Sequence, residues 1–412
     1  MNPILNPYAP GAGTRPPELA GRDEVREKAR IALQRVRLLR PTKSMVLVGL
    51  RGVGKTVLLD TIRDEAKASG IHTIRIEAPE NRSLPALLAP ELRMALLTMS
   101  RIERAKDLSQ RALRALAGFA GALKVKFDDI EVGLDFLPEP GLADNSDLEM
   151  DLIALLEAAG EAAKAADTAL VLFIDELQYV KENELAALVS ALHRTGQQSL
   201  PVTMVGAGLP QLRGLMGNAK SYSERLFDFP VIGPLTEQEA AKAIVNPAKA
   251  EGVKISPGAV KAIFKHTRGY PYFLQEWGKH VWNVAVESPI CARDVKEATV
   301  LASAALDESF FKVRFDRMTP AEKRYLRAMS ELGEGPHRSG DVARVLGREV
   351  NMLAPVRSQL INKGMVWSPS HGDTAFTVPL FNEFMKRTMP GDDWNEPRRP
   401  SKNRSEGSSM EP

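Results

Sequence analysis

At 412 residues, with 44% hydrophobic and 26% charged side chains, the chain has enough apolar material to bury a core in each of two or three domains. A net charge of +3 neither requires nor excludes nucleic acid, so any basic surface has to be local. The single Cys291 excludes an internal disulfide, no Cys/His cluster has zinc spacing, and no window approaches the ~20 apolar residues that span a bilayer. The opening Met1-Asn2-Pro3-Ile4 lacks a basic region followed by an apolar one, so the expectation is a cytoplasmic protein with no membrane partner.

Residues 1–20, rich in Pro and Gly, read as an extended segment. Gly21-Arg22-Asp23-Glu24 opens a helix with Asp23 as N-cap, and Val25, Ala29, Ala32 and Val36 form its apolar stripe. Met45-Val46-Leu47-Val48 reads as a buried strand, and Thr73 to Glu77 alternates as a second. Leu84 to Leu123 is helical in pattern. Around Asp128-Asp129 the sequence alternates as an inserted hairpin near 123–136, which suits a solvated decoration as well as a contact surface. Ala169 to Ile174 is a near-continuous apolar run, a helix begins near Asn183, and Pro201 to Gly206 is a further buried strand. Strands alternating with helices predict an α/β fold, a parallel sheet flanked by helices.

Between the first strand and the helix Val57-Leu58-Leu59-Asp60-Thr61-Ile62 stands Gly49-Leu50-Arg51-Gly52-Val53-Gly54-Lys55-Thr56, a complete G-x-x-x-x-G-K-[ST] loop. Its glycines let successive N–H groups converge on an anion at the positive end of the following helix. The cradle is expected to run from Gly49 through Val57, with Lys55 reaching the β/γ-phosphates of ATP and Thr56 holding Mg²⁺. The Ala169 strand ends in Asp175-Glu176. Asp175 is placed to organise Mg²⁺, and Glu176 to polarise the attacking water; a cap for the next helix is the lesser alternative once the pair is read together with Lys55 and Thr56.

Thr236 to Lys249, Ser256 to Thr267 and Tyr272 to Val286 make three helical segments separated by Gly and Pro. Further on, Thr319-Pro320-Ala321-Glu322 starts a helix, Ser339 to Leu346 forms a second, and a third runs from about Ala354 to Lys363 with Pro355 in its first turn. Met365 to Ser368 and Thr374 to Val378 form a hairpin around His371-Gly372-Asp373. Three helices and a hairpin make a winged helix. From Met318 to Met389 ten Lys and Arg face seven Asp and Glu, an excess too modest to separate a DNA reader from a protein-docking module. Arg348, Arg357 and Lys363 lie on or beside the candidate recognition helix, and His371 sits at the wing tip.

Gly21-Arg22-Asp23-Glu24, the phosphate loop, Asp175-Glu176-Leu177-Gln178, Gly206-Ala207-Gly208, Ser221 to Phe227 and Arg268-Gly269-Tyr270-Pro271 together resemble AAA+ ATPases, and within them origin-recognition-like and STAND signalling NTPases. The likeness spans roughly residues 15–390. It implies that the three helical segments form a lid over the nucleotide, and that Arg225 stabilises the transition state in cis or towards a neighbouring subunit of a homo-oligomer. Two departures stand out. Gly206-Ala207-Gly208 replaces the polar residue that such proteins use to sense the γ-phosphate, and Gly269-Tyr270-Pro271 replaces a sensing arginine. The resemblance has Pro271 touch adenosine; helix initiation explains it as well.

The expected organisation is an extended segment over 1–20, a P-loop ATPase domain over 21–233, a lid and connecting helix over 234–310, a winged helix over 311–390 and a disordered tail over 391–412. The expected function is a slow, Mg-ATP-dependent switch that exchanges ATP and ADP and acts on double-stranded DNA. The alternative is a nucleotide-gated scaffold for a protein partner.

Overall fold

The computed structural model describes residues 1–11, 13–78, 82–122, 136–391 and 393–395. It divides into two compact units, Met1–Leu306 and the residues from Asp307 on.

In the first unit, α1 (Asp23–Arg37) precedes β1 (Ser44–Val48), α2 (Lys55–Ala68) and β2 (His72–Glu77). Then come α3 (Leu84–Met99), α4 (Lys106–Ala122), α5 (Leu148–Ala165), β3 (Leu170–Asp175), α6 (Glu182–Gln197) and β4 (Val202–Gly208). The sheet domain closes with α7 (Leu212–Ala219), α8 (Ser223–Leu226) and β5 (Phe227–Asp228). The five strands lie parallel in the order β2-β3-β4-β1-β5. Side chains alternate between the faces. Val46, Val48, Ile74, Leu172 and Ile174 pack with α3 to α6, whereas Met45, Leu47, Val171, Phe173 and Val205 pack against α1 and α2. Burial on both faces is why β1, β3 and β4 read as unbroken apolar runs while the edge strand β2 alternates, and the order puts the ends of β1 and β3 at one carboxyl edge.

Four expectations are corrected. Arg22, not Asp23, stands at the cap of α1; Asp23 is its first residue, with its charge in the first turn. The run from Leu84 is two helices, broken after Met99 by a 3-10 turn at Glu103–Ala105. Helix α5, capped by Asp147, had no predicted counterpart. The fifth strand was missed too, since two residues carry no periodicity. The expected hairpin near 123–136 lies outside the described residues apart from Phe136.

The lid comprises α9 (Glu237–Ala250), α10 (Pro257–Thr267), α11 (Pro271–Val284) and α12 (Ala292–Leu306). Thr236 and Glu239 form a reciprocal capping box on α9, Ser256 caps α10, and Pro271 opens α11. Trp277 and Trp282 are buried in its core, and His266 stacks on Trp277. Across these helices runs the N-terminal segment. The Trp282 indole donates to the Asn2 carbonyl at 2.9 Å, Asn6 donates to Lys279, and the buried Tyr8 donates its hydroxyl to the Ile244 carbonyl. The segment carries a 3-10 turn at Pro3–Leu5.

The second unit contains α13 (Lys312–Asp316), α14 (Pro320–Glu331), β6 (His337–Arg338), α15 (Ser339–Leu346), α16 (Val350–Asn362), β7 (Val366–Trp367), β8 (Asp373–Phe376) and α17 (Phe381–Thr388). This is the element order of a winged helix. Its antiparallel sheet has the order β6-β8-β7, one strand more than the predicted hairpin. Helix α16 begins at Val350, so Pro355 lies inside it and not in the first turn. The Asn351 carbonyl, which loses its helical partner there, belongs to an exposed residue. Of the expected tail, Asp393–Asn395 form a short turn with Arg327 over the Trp394 ring, and residues 396–412 lie outside the described residues.

Candidate functional site

The loop after β1 is shaped by its glycines. A Cβ on Gly49 would overlap the carbonyl oxygen of Ile232, whose segment runs alongside Val48, while Gly52 and Gly54 hold φ of +78° and +87°. Helix α2 starts at Lys55 behind Gly54 with no side-chain cap. Its first N–H groups therefore face the loop's concavity, an arrangement made for an anion.

Lys55 is buried, and its Nζ donates to the carbonyls of Gly49 at 2.9 Å and Leu50 at 2.8 Å. Burial pushes its ammonium down to about 8, against the opposing pull of Glu176 and Asp175. Asp175, at the end of β3, is 2% exposed. Burial raises its pKa; the Thr56 hydroxyl, which hydrogen-bonds the carboxylate, and Arg75 pull the other way. Its Oδ1 accepts the Glu176 N–H at 2.9 Å, and its Oδ2 lies 3.3 Å from Arg75, which also grips Asp60 at 2.8 Å.

Glu176 adopts a left-handed φ of +51°, turning the chain into a 3-10 turn at Leu177–Tyr179. Its Oε1 lies 3.8 Å from Arg51, whose other nitrogen donates to the Tyr179 hydroxyl at 2.8 Å, and its Oε2 accepts from Gln178. Lys55, Thr56, Asp175 and Glu176 thus converge at one edge of the sheet. The uncapped helix and buried ammonium fit a polyphosphate. The adjoining Thr56 hydroxyl and Asp175 carboxylate fit Mg²⁺, which takes few protein ligands and shares the rest with phosphate and water. Among the described residues there is no cluster of three His, Cys, Asp or Glu side chains that would make an independent metal site.

The lid reaches this site. Tyr272 N–H donates to the Gly52 carbonyl at 3.2 Å, so the start of α11, with Pro271 at its first position, abuts the loop. Gly269 is required where it stands, because a Cβ there would overlap the Leu235 carbonyl. From the other side Arg22 donates to the carbonyls of Val53 at 3.2 Å and Gly233 at 2.6 Å.

Arg225 is not brought to the site. It is exposed in α8, two residues ahead of Phe227, which pairs with Ser44 at the start of β1; the loop follows the other end of that strand. In the second unit, Arg348 and His371 are exposed. Arg357 donates to Thr374 Oγ1 at 2.7 Å, Ser368 Oγ at 2.8 Å and the Asp373 carbonyl at 2.7 Å. Lys363 bonds the buried Glu322 at 2.8 Å. Sequence reasoning missed Arg75, Gln178 and Tyr272. Arg75 had a signal, being the polar residue that faces a strand end; the others depend on how the turns fold.

The family model of the AAA ATPase domain matches residues 18–205, and a model described as a domain of unknown function matches residues 308–385. No curated protein matches the chain. Among solved structures, the Walker-type ATPase of Pyrococcus abyssi superposes with a TM-score of 0.55 at 16% identity, over 93% of this chain and 99% of that one. The ORC1 protein of Aeropyrum pernix in complex with DNA gives 0.47 at 16% identity, over 90% and 94%. The Thermotoga maritima RuvB Holliday junction branch migration motor gives 0.42 at 17%, over 93% and 98%. At scores under 0.5 the last two add nothing to the fold assignment.

Proposed function

We propose, for a chain whose residues 18–205 match the family model of the AAA ATPase domain, an ATP-dependent conformational switch that hydrolyses Mg-ATP slowly and couples the cycle to DNA through the C-terminal winged helix. The observation that carries the reading is the convergence of Lys55, Thr56, Asp175 and Glu176 at one sheet edge, with the lid helix α11 bonded to the same loop through Tyr272. Lys55 and the N–H groups of the Gly49–Val57 loop would hold the phosphates, Thr56 and Asp175 the Mg²⁺, and Glu176 would accept the proton of the attacking water. The metal supplies charge neutralisation on the phosphate oxygens. Slow turnover is expected because Gly206 and Gly208 provide no phosphate-sensing side chain. Arg225, remote from its own site, would act only towards a neighbouring subunit.

A second reading, a nucleotide-gated scaffold for a protein partner, is favoured by one observation. The exposed positions of α16 include Val350, Met352, Ala354, Pro355, Ser358 and Gln359, while Arg357 and Lys363 are engaged internally. Such a surface carries little charge for phosphates.

ATP hydrolysis by wild type, Lys55→Ala and Glu176→Gln, each with and without duplex DNA over a salt series, tests both. DNA-stimulated turnover abolished by either substitution supports the first reading. Equal turnover in all three proteins would remove the enzymatic part, and no DNA binding at low salt favours the scaffold.

A further inference from the structure

At the end of β4, Gly206 and Gly208 have no side chains, and the space beside them is taken. A Cβ on Gly208 would overlap Gln178 Oε1, and one on Gly206 would come within 2.5 Å of Leu177 Cδ1. The two glycines thus admit the turn Leu177–Tyr179 that the left-handed Glu176 creates. Within that turn Gln178 makes two bonds of opposite sense. Its Oε1 accepts the Leu209 N–H at 3.1 Å, and its Nε2 donates to Glu176 Oε2. A primary amide supplies an acceptor and a donor on one planar side-chain head, and this orientation is the one that satisfies both partners.

We infer that Gln178 is the positioning residue for Glu176, fixing the carboxylate to the backbone just after β4 so that one oxygen stays directed at the phosphate site. This rests on the reading of Glu176 as the base in hydrolysis. A glutamate has three side-chain torsions, and without a second anchor its carboxylate samples rotamers that face away from the reacting water. Arg51 constrains only Oε1, and loosely, at 3.8 Å. Gln178 constrains Oε2 through a neutral donor, which orients the base without pairing its charge away. Glycine at 206 and 208 is then the condition for the arrangement: the residue that follows β4 contributes the Leu209 N–H, and Gln178 carries its orientation to the base.

The test uses the full chain and steady-state Mg-ATP hydrolysis, with thermal melting as the control for folding. Gln178→Glu keeps the acceptor for Leu209 N–H and loses the donor to Glu176. Gln178→Met, of similar shape, loses both, and serves if the first variant does not fold. The expected result is a kcat lowered roughly 10- to 100-fold with KM for Mg-ATP changed by less than about twofold. On a Glu176→Gln background, adding Gln178→Glu is expected to change the residual rate by less than about twofold, because the two residues act as one unit. Wild-type kcat in both variants, a KM that rises as kcat falls, or an equal loss on both backgrounds overturns the inference while leaving Glu176 as the base. Wild-type turnover in Glu176→Gln overturns the hydrolytic reading and this inference with it.

Discussion

The Lys55 ammonium lies 2.9 Å from the carbonyl oxygen of Gly49, the first residue of its own loop, and burial holds it at about 8. Below that pH it is charged and ready for phosphate; above it, ATP must bring a proton with it. ATP affinity is therefore expected to be flat below about pH 8 and to fall by up to about tenfold per pH unit above it. Calorimetric titration at pH 8.5 in buffers of different ionisation enthalpy should show proton uptake on binding. For stability the sign is opposite. A lysine whose folded pKa lies below its ordinary value lets the unfolded chain bind more protons between about pH 8 and 10.5, so stability rises with pH across that window. Lys55→Met should bind ATP at least about thirtyfold more weakly yet melt at a higher temperature than wild type at pH 7.

Arg75 joins Asp60 and Asp175, at 2.8 and 3.3 Å, and so places a positive charge beside a carboxylate that burial already raises. Removing the guanidinium takes away one of the groups that keep Asp175 ionised, the Thr56 hydroxyl remaining. In Arg75→Met the acidic limb of the Mg-ATP turnover profile should move to higher pH, since the carboxylate must be ionised to serve Mg²⁺. An unmoved limb would show that Asp175 does not govern it.

Gly278 in α11 has no Cβ because the Tyr8 ring occupies the position; one placed there would come within 2.6 Å of that ring. Tyr8 also bonds the Ile244 carbonyl in α9, so the N-terminal segment ties two lid helices together. Tyr8→Ala should destabilise the first unit by about 3 kcal/mol, as for other buried aromatic side chains. Gly278→Ala should lower the melting temperature in wild type and have a much smaller effect in Tyr8→Ala, where the ring is gone. Additive losses would mean that the two residues do not share one contact.

The strands and the chemical loop were legible because each carries a local signal. Met45 to Val48 and Leu170 to Asp175 are buried on both faces and so lack polar interruption, and the three glycines with Lys55 and Thr56 declare a backbone shape and a charge together. What stayed hidden depends on chain segments far apart. Nothing near Gly208 says that Gln178 will stand over it, and nothing near Tyr8 announces Gly278. The two-residue strands β5 and β6 are too short for periodicity. The four basic residues assigned to DNA were chosen by position along the chain, which cannot reveal that Glu322 would claim Lys363.

Those four residues now separate into two pairs with different expected behaviour. Arg357 fastens α16 to the β7–β8 hairpin through three hydrogen bonds, and Lys363 supplies the charge opposite Glu322, whose carboxyl is fully buried. Arg357→Ala should cost the second unit about 2 kcal/mol, and Lys363→Met a similar amount, because each leaves buried polar groups without a partner. Arg348 and His371 are exposed, so Arg348→Ala and His371→Ala should leave the melting temperature within about 1 °C of wild type. If the winged helix grips duplex DNA through phosphate contacts, Arg348→Ala should reduce the slope of log affinity against log salt by about one unit. Measuring that slope for a variant whose fold is intact isolates the electrostatic contact. A slope unchanged by Arg348→Ala, with binding lost only in the destabilised Arg357→Ala and Lys363→Met proteins, would assign the exposed face of α16 to a protein partner instead.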